Sequence, residues 1–167
     1  AEINTLRDLG KKTEHASLTV DSTYKLNVGD GVSYDLSFEV DLKATSASCA
    51  ELLLRSDGEE GLRIQWDFDN AELRVERDRA DGWSTGVSRS PLCLMGKSQL
   101  DVRICVDVCS VELFVDGGRI AHSMNDFAPL ENKEIRFKVA DGQLVIKNLT
   151  GYPMKAVTDP ALTFELH

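Results

Sequence analysis

Hydrophobic and polar side chains alternate with period two along most of this chain. Tyr34, Leu36, Phe38, Val40 and Leu42 are interleaved with Asp35, Ser37, Glu39 and Asp41. The same rhythm runs through Leu62, Ile64, Trp66 and Phe68, through Leu100, Val102, Ile104 and Val106, and through Val111, Leu113 and Val115. It returns in Ile135, Phe137 and Val139, and again in Leu144 and Ile146. Successive side chains of a strand point to opposite faces, so each run offers one face to a core and the other to solvent or a second layer. Trp66, in register with Leu62 and Ile64, belongs to the core side. Turn residues punctuate the runs at Asp30-Gly31, Asp57-Gly58, Asp69-Asn70, Asp81-Gly82, Asp116-Gly117-Gly118 and Asp141-Gly142. Turns spaced by about 8–12 residues predict an all-β protein of roughly eleven to thirteen strands. Two stacked sheets bury one face of each, so the fold expected is a two-sheet antiparallel β-sandwich of the jelly-roll or concanavalin-like kind.

The ends read differently. In Glu2 to Lys12, Ile3, Leu6 and Leu9 stand at near-helical spacing before Gly10, which predicts a short helical or extended linker over residues 1–12. The sandwich is expected over 13–158. A tail, 159–167, carries the short apolar run Leu162-Thr163-Phe164.

Composition narrows the partners. The 167 residues carry a formal net charge of −9, which repels phosphate backbones and anionic lipid and leaves a neutral ligand such as a sugar compatible. Neither nucleic acid nor a membrane is expected as a partner. No apolar run approaches the ~18 residues of a membrane span, and Ala1 to Arg7 is polar, without the apolar stretch of a signal peptide. Cys49, Cys93, Cys105 and Cys109 lack metal-ligand spacing, so neither a metal nor a cofactor is expected. Cys105 reads as a core or near-core thiol. Cys49 and Cys93 are a possible disulfide, which sequence alone does not pair. His15, His122 and His167 are scattered, and those at 15 and 122 read as surface or edge residues rather than ligands. No nucleophile elbow, phosphate loop or dinucleotide fingerprint is present.

The most specific stretch runs from Leu100 to Pro129. Within it, Asp107, Cys109, Ser110, Val111, Glu112, Phe114, Asp116 and Gly117 fill a strand-pair pattern that resembles the C-terminal sandwich of glycoside hydrolase family 32, the family of invertases, levanases, inulinases and other β-fructosidases. Cys109 stands where that family commonly has Ser, and the Asn usual before the Asp-Gly turn is missing. Asp107, Ser110, Glu112, Phe114, Asp116 and Gly117 are read as structural members of the motif, with Asp107 bonding loop amides at a strand end. Glu51 to Ser56 followed by Gly61 to Ile64 resembles the module's early hairpin. Leu73 to Arg79 resembles a later strand, with Glu76 where Asp is usual. Glu2-Ile3 and Leu6-Arg7 resemble the connector that follows the catalytic propeller.

The resemblance implies that residues 1–12 lead from a catalytic domain absent from this sequence, and that this propeller is the partner. A retaining glycosidase needs two carboxylates flanking the bond it cuts. The family takes them from propeller motifs, and none is present here. Ser123-Met124-Asn125-Asp126-Phe127 shares only Met-Asn-Asp with the nucleophile segment, and Asp126 is read as a loop residue. The chain is therefore expected to be non-catalytic and to stabilise its parent enzyme. The alternative is a fructan-binding module recognising terminal fructose, and a second alternative is an unrelated lectin-like sandwich. For sugar binding, an aromatic platform and planar polar groups are required. Trp83, Arg63, Asp67, Arg74, Arg77 and Glu51 are the candidates, with the three arginines expected on one solvent face. The parent's substrate, sucrose or a fructan, is set by the absent pocket, and the compartment follows the parent. Free thiols favour a reducing compartment. Asn148-Leu149-Thr150 is a glycosylation sequon that matters only in a secreted eukaryotic chain.

Overall fold

A computed structural model describes residues 3–77 and 85–155. Among these residues, twelve strands form two antiparallel six-stranded sheets, in keeping with the period-two pattern. Sheet 1 contains β1 (Thr13–Val20), β12 (Leu144–Pro153), β3 (Tyr34–Asp41), β8 (Gln99–Asp107), β9 (Ser110–Val115) and β10 (Ile120–Asn125), in that spatial order. Sheet 2 runs β2 (Thr23–Leu26), β11 (Glu134–Val139), β4 (Cys49–Ser56), β5 (Leu62–Asp67), β6 (Glu72–Glu76) and β7 (Val87–Pro91).

The inward faces interdigitate. Phe38 of sheet 1 meets Trp66 and Phe137 of sheet 2 edge-on, with ring centroids 6.1 and 5.5 Å apart. Around these rings pack Leu36, Leu52, Ile64, Leu73, Ile104, Leu113 and Ile146, all buried. Burying a Leu- or Phe-sized side chain is worth about 1.5–3 kcal/mol, so alternation along the strands is enough to drive the sheets together.

Each open side of the sandwich is closed by a histidine from an edge strand. On one side His15 of β1 meets Tyr24 of β2 at 6.0 Å, nearly perpendicular. On the other, His122 of β10 places Nδ1 2.9 Å from Ser88 Oγ and Nε2 3.0 Å from Ser90 Oγ, both on β7. Partial burial lowers the His122 pKa.

Two β-bulges interrupt the ladders. Between β4 and β11 the register shifts so that Leu54 and Arg55 oppose Ile135 alone, and Arg55 takes a left-handed φ of 49°. Between β12 and β3 a second shift surrounds Asn148, with φ 50°. A bulge re-aims the side chain it carries, and both displaced side chains matter below.

The N-terminal segment does not trail away from the body. Short 3-10 turns at Ile3–Leu6 and Leu9–Lys11 flank Arg7, which bridges to Met154. The Asp8 amide donates to the Pro153 carbonyl at 2.8 Å, and the Lys155 amide donates to that of Leu6 at 2.7 Å.

Candidate functional site

Of the residues singled out for sugar contact, Glu51, Arg63 and Arg74 lie on the outer face of sheet 2. Antiparallel pairing sets Glu51 beside Gln65 and Gln65 beside Arg74, with Arg63 opposite Glu76. These groups bond to one another. Arg63 Nη1 donates to Glu76 at 3.1 Å, Gln65 donates to Glu51 at 3.3 Å, and Arg74 donates to Gln65 at 3.2 Å and to Glu72 at 3.1 Å. Asp67 sits at the β5–β6 turn, where it accepts the Asn70 side-chain amide at 2.8 Å and the Asn70 backbone N–H at 2.9 Å, and these bonds lower its pKa. Arg77 departs from the expected common face. It follows β6 on the inward side of Leu73 and Val75 and lines a 300 Å³ gap with His122 and Met124 at the β7 and β10 edges. Trp83 lies outside the described residues.

The Asp107–Gly117 block is the β8–β9 hairpin and the turn that follows it. Asp107 Oδ1 accepts the Val108 amide at 2.8 Å and the Ser33 hydroxyl at 3.3 Å, the strand-end role read from its position. Ser110, Glu112 and Phe114 face outward from sheet 1 while Val111, Leu113 and Val115 are buried. Asp116, at φ 56°, forms an ion pair with Lys97 and leads into Gly117 and Gly118, which share its positive φ.

Asp35 is the charged centre of the sheet 1 outer face and is almost wholly buried. Arg7 donates to it through Nε at 2.7 Å and its Nη2 stands at 2.6 Å. Arg103 makes a two-point contact, Nε to Oδ1 at 3.1 Å and Nη2 to Oδ2 at 3.0 Å. Arg103 Nη2 also donates to Asn4 at 3.3 Å, so the connector is bound to β3 and β8 together. The Cys105 thiol lies beside the same carboxylate; burial, then the charge of Asp35, pushes its pKa up to about 11. All four cysteines are free, so the Cys49–Cys93 pairing is not formed.

Arg55 is the group that the sequence reading missed. It is 0% exposed, and its five N–H donors all reach main-chain carbonyls. Nε donates to Asn132, Nη1 to Val108 at 2.9 Å and to Asp107 at 3.4 Å, and Nη2 to Ala128 at 2.8 Å and to Pro129 at 3.3 Å. One guanidinium thus fastens the β8–β9 turn to the loop between β10 and β11. The side chains carried on those two segments include Val108, Phe127 and Leu130, which are 50, 55 and 57% exposed. Beside them, a depression of about 570 Å³ runs past Val108, Val106, Val32 and Met154 to Leu6. The visible sign of Arg55 in the sequence is the run Leu52-Leu53-Leu54, which breaks the alternation where the bulge begins.

A second depression, of about 520 Å³, lies on the outer face of sheet 1. Phe114, Arg103, Asp101, Gln99, Glu39 and Asn148 line it. The imitation of a nucleophile motif proves to be edge strand and loop: Met124 of β10 is in the core, and Asp126 is a buried loop residue whose Oδ1 accepts the Ala128 amide at 3.0 Å. Among the described residues no group of three or more His, Cys, Asp or Glu is placed to hold a metal ion.

Stacked antiparallel sheets, with an N-terminal segment tied across the end of one of them, define a β-sandwich module. The chain belongs to the family of glycosyl hydrolases family 32 C-terminal domains, whose model matches residues 2–153. It is 27% identical over 163 residues to the levanase of Bacillus subtilis (strain 168), covering 93% of this chain and 24% of that enzyme. The fold is shared with exo-inulinase from Aspergillus awamori, at a TM-score of 0.73 and 18% identity over 92% of this chain and 31% of that one. It is likewise shared with Aspergillus kawachii β-fructofuranosidase, at a TM-score of 0.75 and 16% identity over 96% of this chain and 30% of that one. This chain therefore spans about a quarter of the levanase and under a third of either solved enzyme. Membership sets aside an unrelated lectin-like sandwich.

Proposed function

We propose that this chain is the non-catalytic C-terminal module of a β-fructofuranosidase or fructanase, and that it docks against and stabilises a catalytic propeller in the same parent protein, where sucrose or fructan is hydrolysed. The observation that carries this reading is the exposure of three apolar residues, Val108, Phe127 and Leu130, on loops pinned by Arg55. Exposed apolar groups on a rigid frame mark an interaction surface. A depression lined by both Val108 and Leu6 links the β8–β9 turn to the N-terminal segment, which on this reading follows the propeller.

The test joins and separates the two units. The chain alone is expected to release no fructose from sucrose, inulin or levan. Joined to a catalytic domain of this family, it is expected to raise that domain's Tm. Leu130→Glu, at an exposed position, is expected to abolish the gain while the module's own unfolding is unchanged. Hydrolysis by the chain alone, or a catalytic domain equally stable without it, would overturn the proposal. A second reading, recognition of fructan by the module itself, is favoured by the depression at Phe114 rather than by the mutually bonded groups of sheet 2.

A further inference from the structure

We infer that the depression on the outer face of sheet 1 is a binding site for a neutral sugar, with a glycosyl ring seated against Phe114 and its hydroxyls bonded by Glu39, Asp101 and Asn148. The site is independent of the docking role; only the choice of fructosyl chains as its ligand rests on the β-fructosidase reading.

Strand register puts the groups in place. Ser37, Arg103 and Phe114 form one row across β3, β8 and β9, and Glu39 and Asp101 face each other in the next row. Same-face rows are about 7 Å apart along the strands and neighbouring strands about 4.8 Å apart, dimensions that a single sugar ring spans. Phe114 is half-buried and supplies an apolar surface for the C–H face of a ring. Arg103 is held from behind by Asp35, so it needs little ordering on binding.

Two features of this face oppose folding. The first is the direct opposition of Glu39 and Asp101. Like charges placed opposite one another destabilise a sheet, and neither carboxylate has an ion-pair partner among the described residues. Glu39 accepts instead from the Asn148 amide at 3.0 Å, and Asp101 from Gln99 at 3.2 Å. The second is Asn148 itself, a non-glycine residue held at positive φ by a bulge that aims its amide over the depression. Strain of this kind gathers at functional sites. The rim at Gly117 and Gly118 is open space.

The ligand class follows from the chemistry. Paired carboxylates repel anions. They accept hydrogen bonds from vicinal hydroxyls, the amides of Gln99 and Asn148 both donate and accept, and the aromatic ring favours a body with C–H bonds on one face. A neutral polyhydroxylated ring meets all three requirements.

The experiment is calorimetric titration of the 167-residue chain with 1-kestose, short inulin and levan oligosaccharides, and malto-oligosaccharides as non-fructosyl glycans. Saturable binding of the fructosyl chains in the millimolar range is expected. Asp101→Asn removes a like charge and Asn148→Gly suits the left-handed backbone, so each is expected to raise Tm while weakening binding about tenfold. Phe114→Leu is expected to weaken binding without unfolding, and Arg74→Gln on sheet 2 to leave it unchanged. A purely structural role predicts the reverse pairing, lower Tm and no loss of affinity. The inference is overturned if no neutral glycan binds, if Asn148→Gly and Asp101→Asn bind as well as the parent, or if calcium ion alone gives saturable heat. Phe114-dependent binding of malto-oligosaccharides but not fructosyl chains would keep the site and overturn the β-fructosidase reading.

Discussion

At the scale of single residues, Asp35 concentrates more of the electrostatics than any other carboxylate described. It is buried against two arginines that come from the connector and from β8. Removing one partner of a buried pair leaves the other charge uncompensated, at about 3–5 kcal/mol. Asp35→Asn is therefore expected to lower stability by about 3–5 kcal/mol in urea unfolding and to release residues 3–12 to faster amide exchange. A loss below about 1 kcal/mol would mean that water already carries the arginines, as at an exposed pair. Nothing in the sequence marks Asp35 apart from Ser37, Glu39 and Asp41 on the same face. Its partners stand 28 and 68 residues away, a separation that alternation does not encode.

Among the elements, the regular strands were legible because their signal is local. The Tyr34–Leu42 alternation became β3, the Leu62–Trp66 alternation became β5 with Trp66 in the core, and Asp116-Gly117 became the turn after β9. The bulges were not legible, because each depends on how two distant strands settle their registers. That is why Asn148 read as a sequon and Arg55 as an ordinary hairpin residue. The β4 bulge carries its own prediction. Arg55→Lys keeps the charge but offers a point donor in place of a planar fork, so most of the five carbonyls lose their bond. Destabilisation by roughly 3–5 kcal/mol is expected, with protease cleavage appearing between residues 126 and 133. Unchanged stability would show that solvent replaces the guanidinium at that end of the sandwich.

For the whole molecule, acid is a destabilising condition, and the sign is the same at each shifted acid-titrating group. Bonds from the Ala44 amide to Asp41, the Glu60 amide to Asp57, the Asn70 side chain to Asp67 and Lys25 to Glu134 lower these pKa values in the folded state. Their contribution is complete above the ordinary values of 3.8 for Asp and 4.5 for Glu, and is lost as pH falls through the lowered ones. His122 is held below its ordinary 6.5 by burial, so its neutral form is favoured, and that contribution too is present above 6.5 and lost beneath it. Urea midpoints are expected to stay level above pH 7, to decline gently from near 6.5, and to fall steeply below about 4.5. His122→Gln should remove the gentle limb alone; a limb that survives this change would assign it to another group.

The Arg55 anchorage bears on how such a module changes over generations. Its guanidinium grips peptide carbonyls, which every amino acid possesses. Identity at 108, 127 and 130 is thereby uncoupled from loop geometry. Descendants can exchange those side chains to suit a drifting partner domain while inheriting the same frame, and an engineer can graft a different contact surface there without redesigning the backbone beneath it.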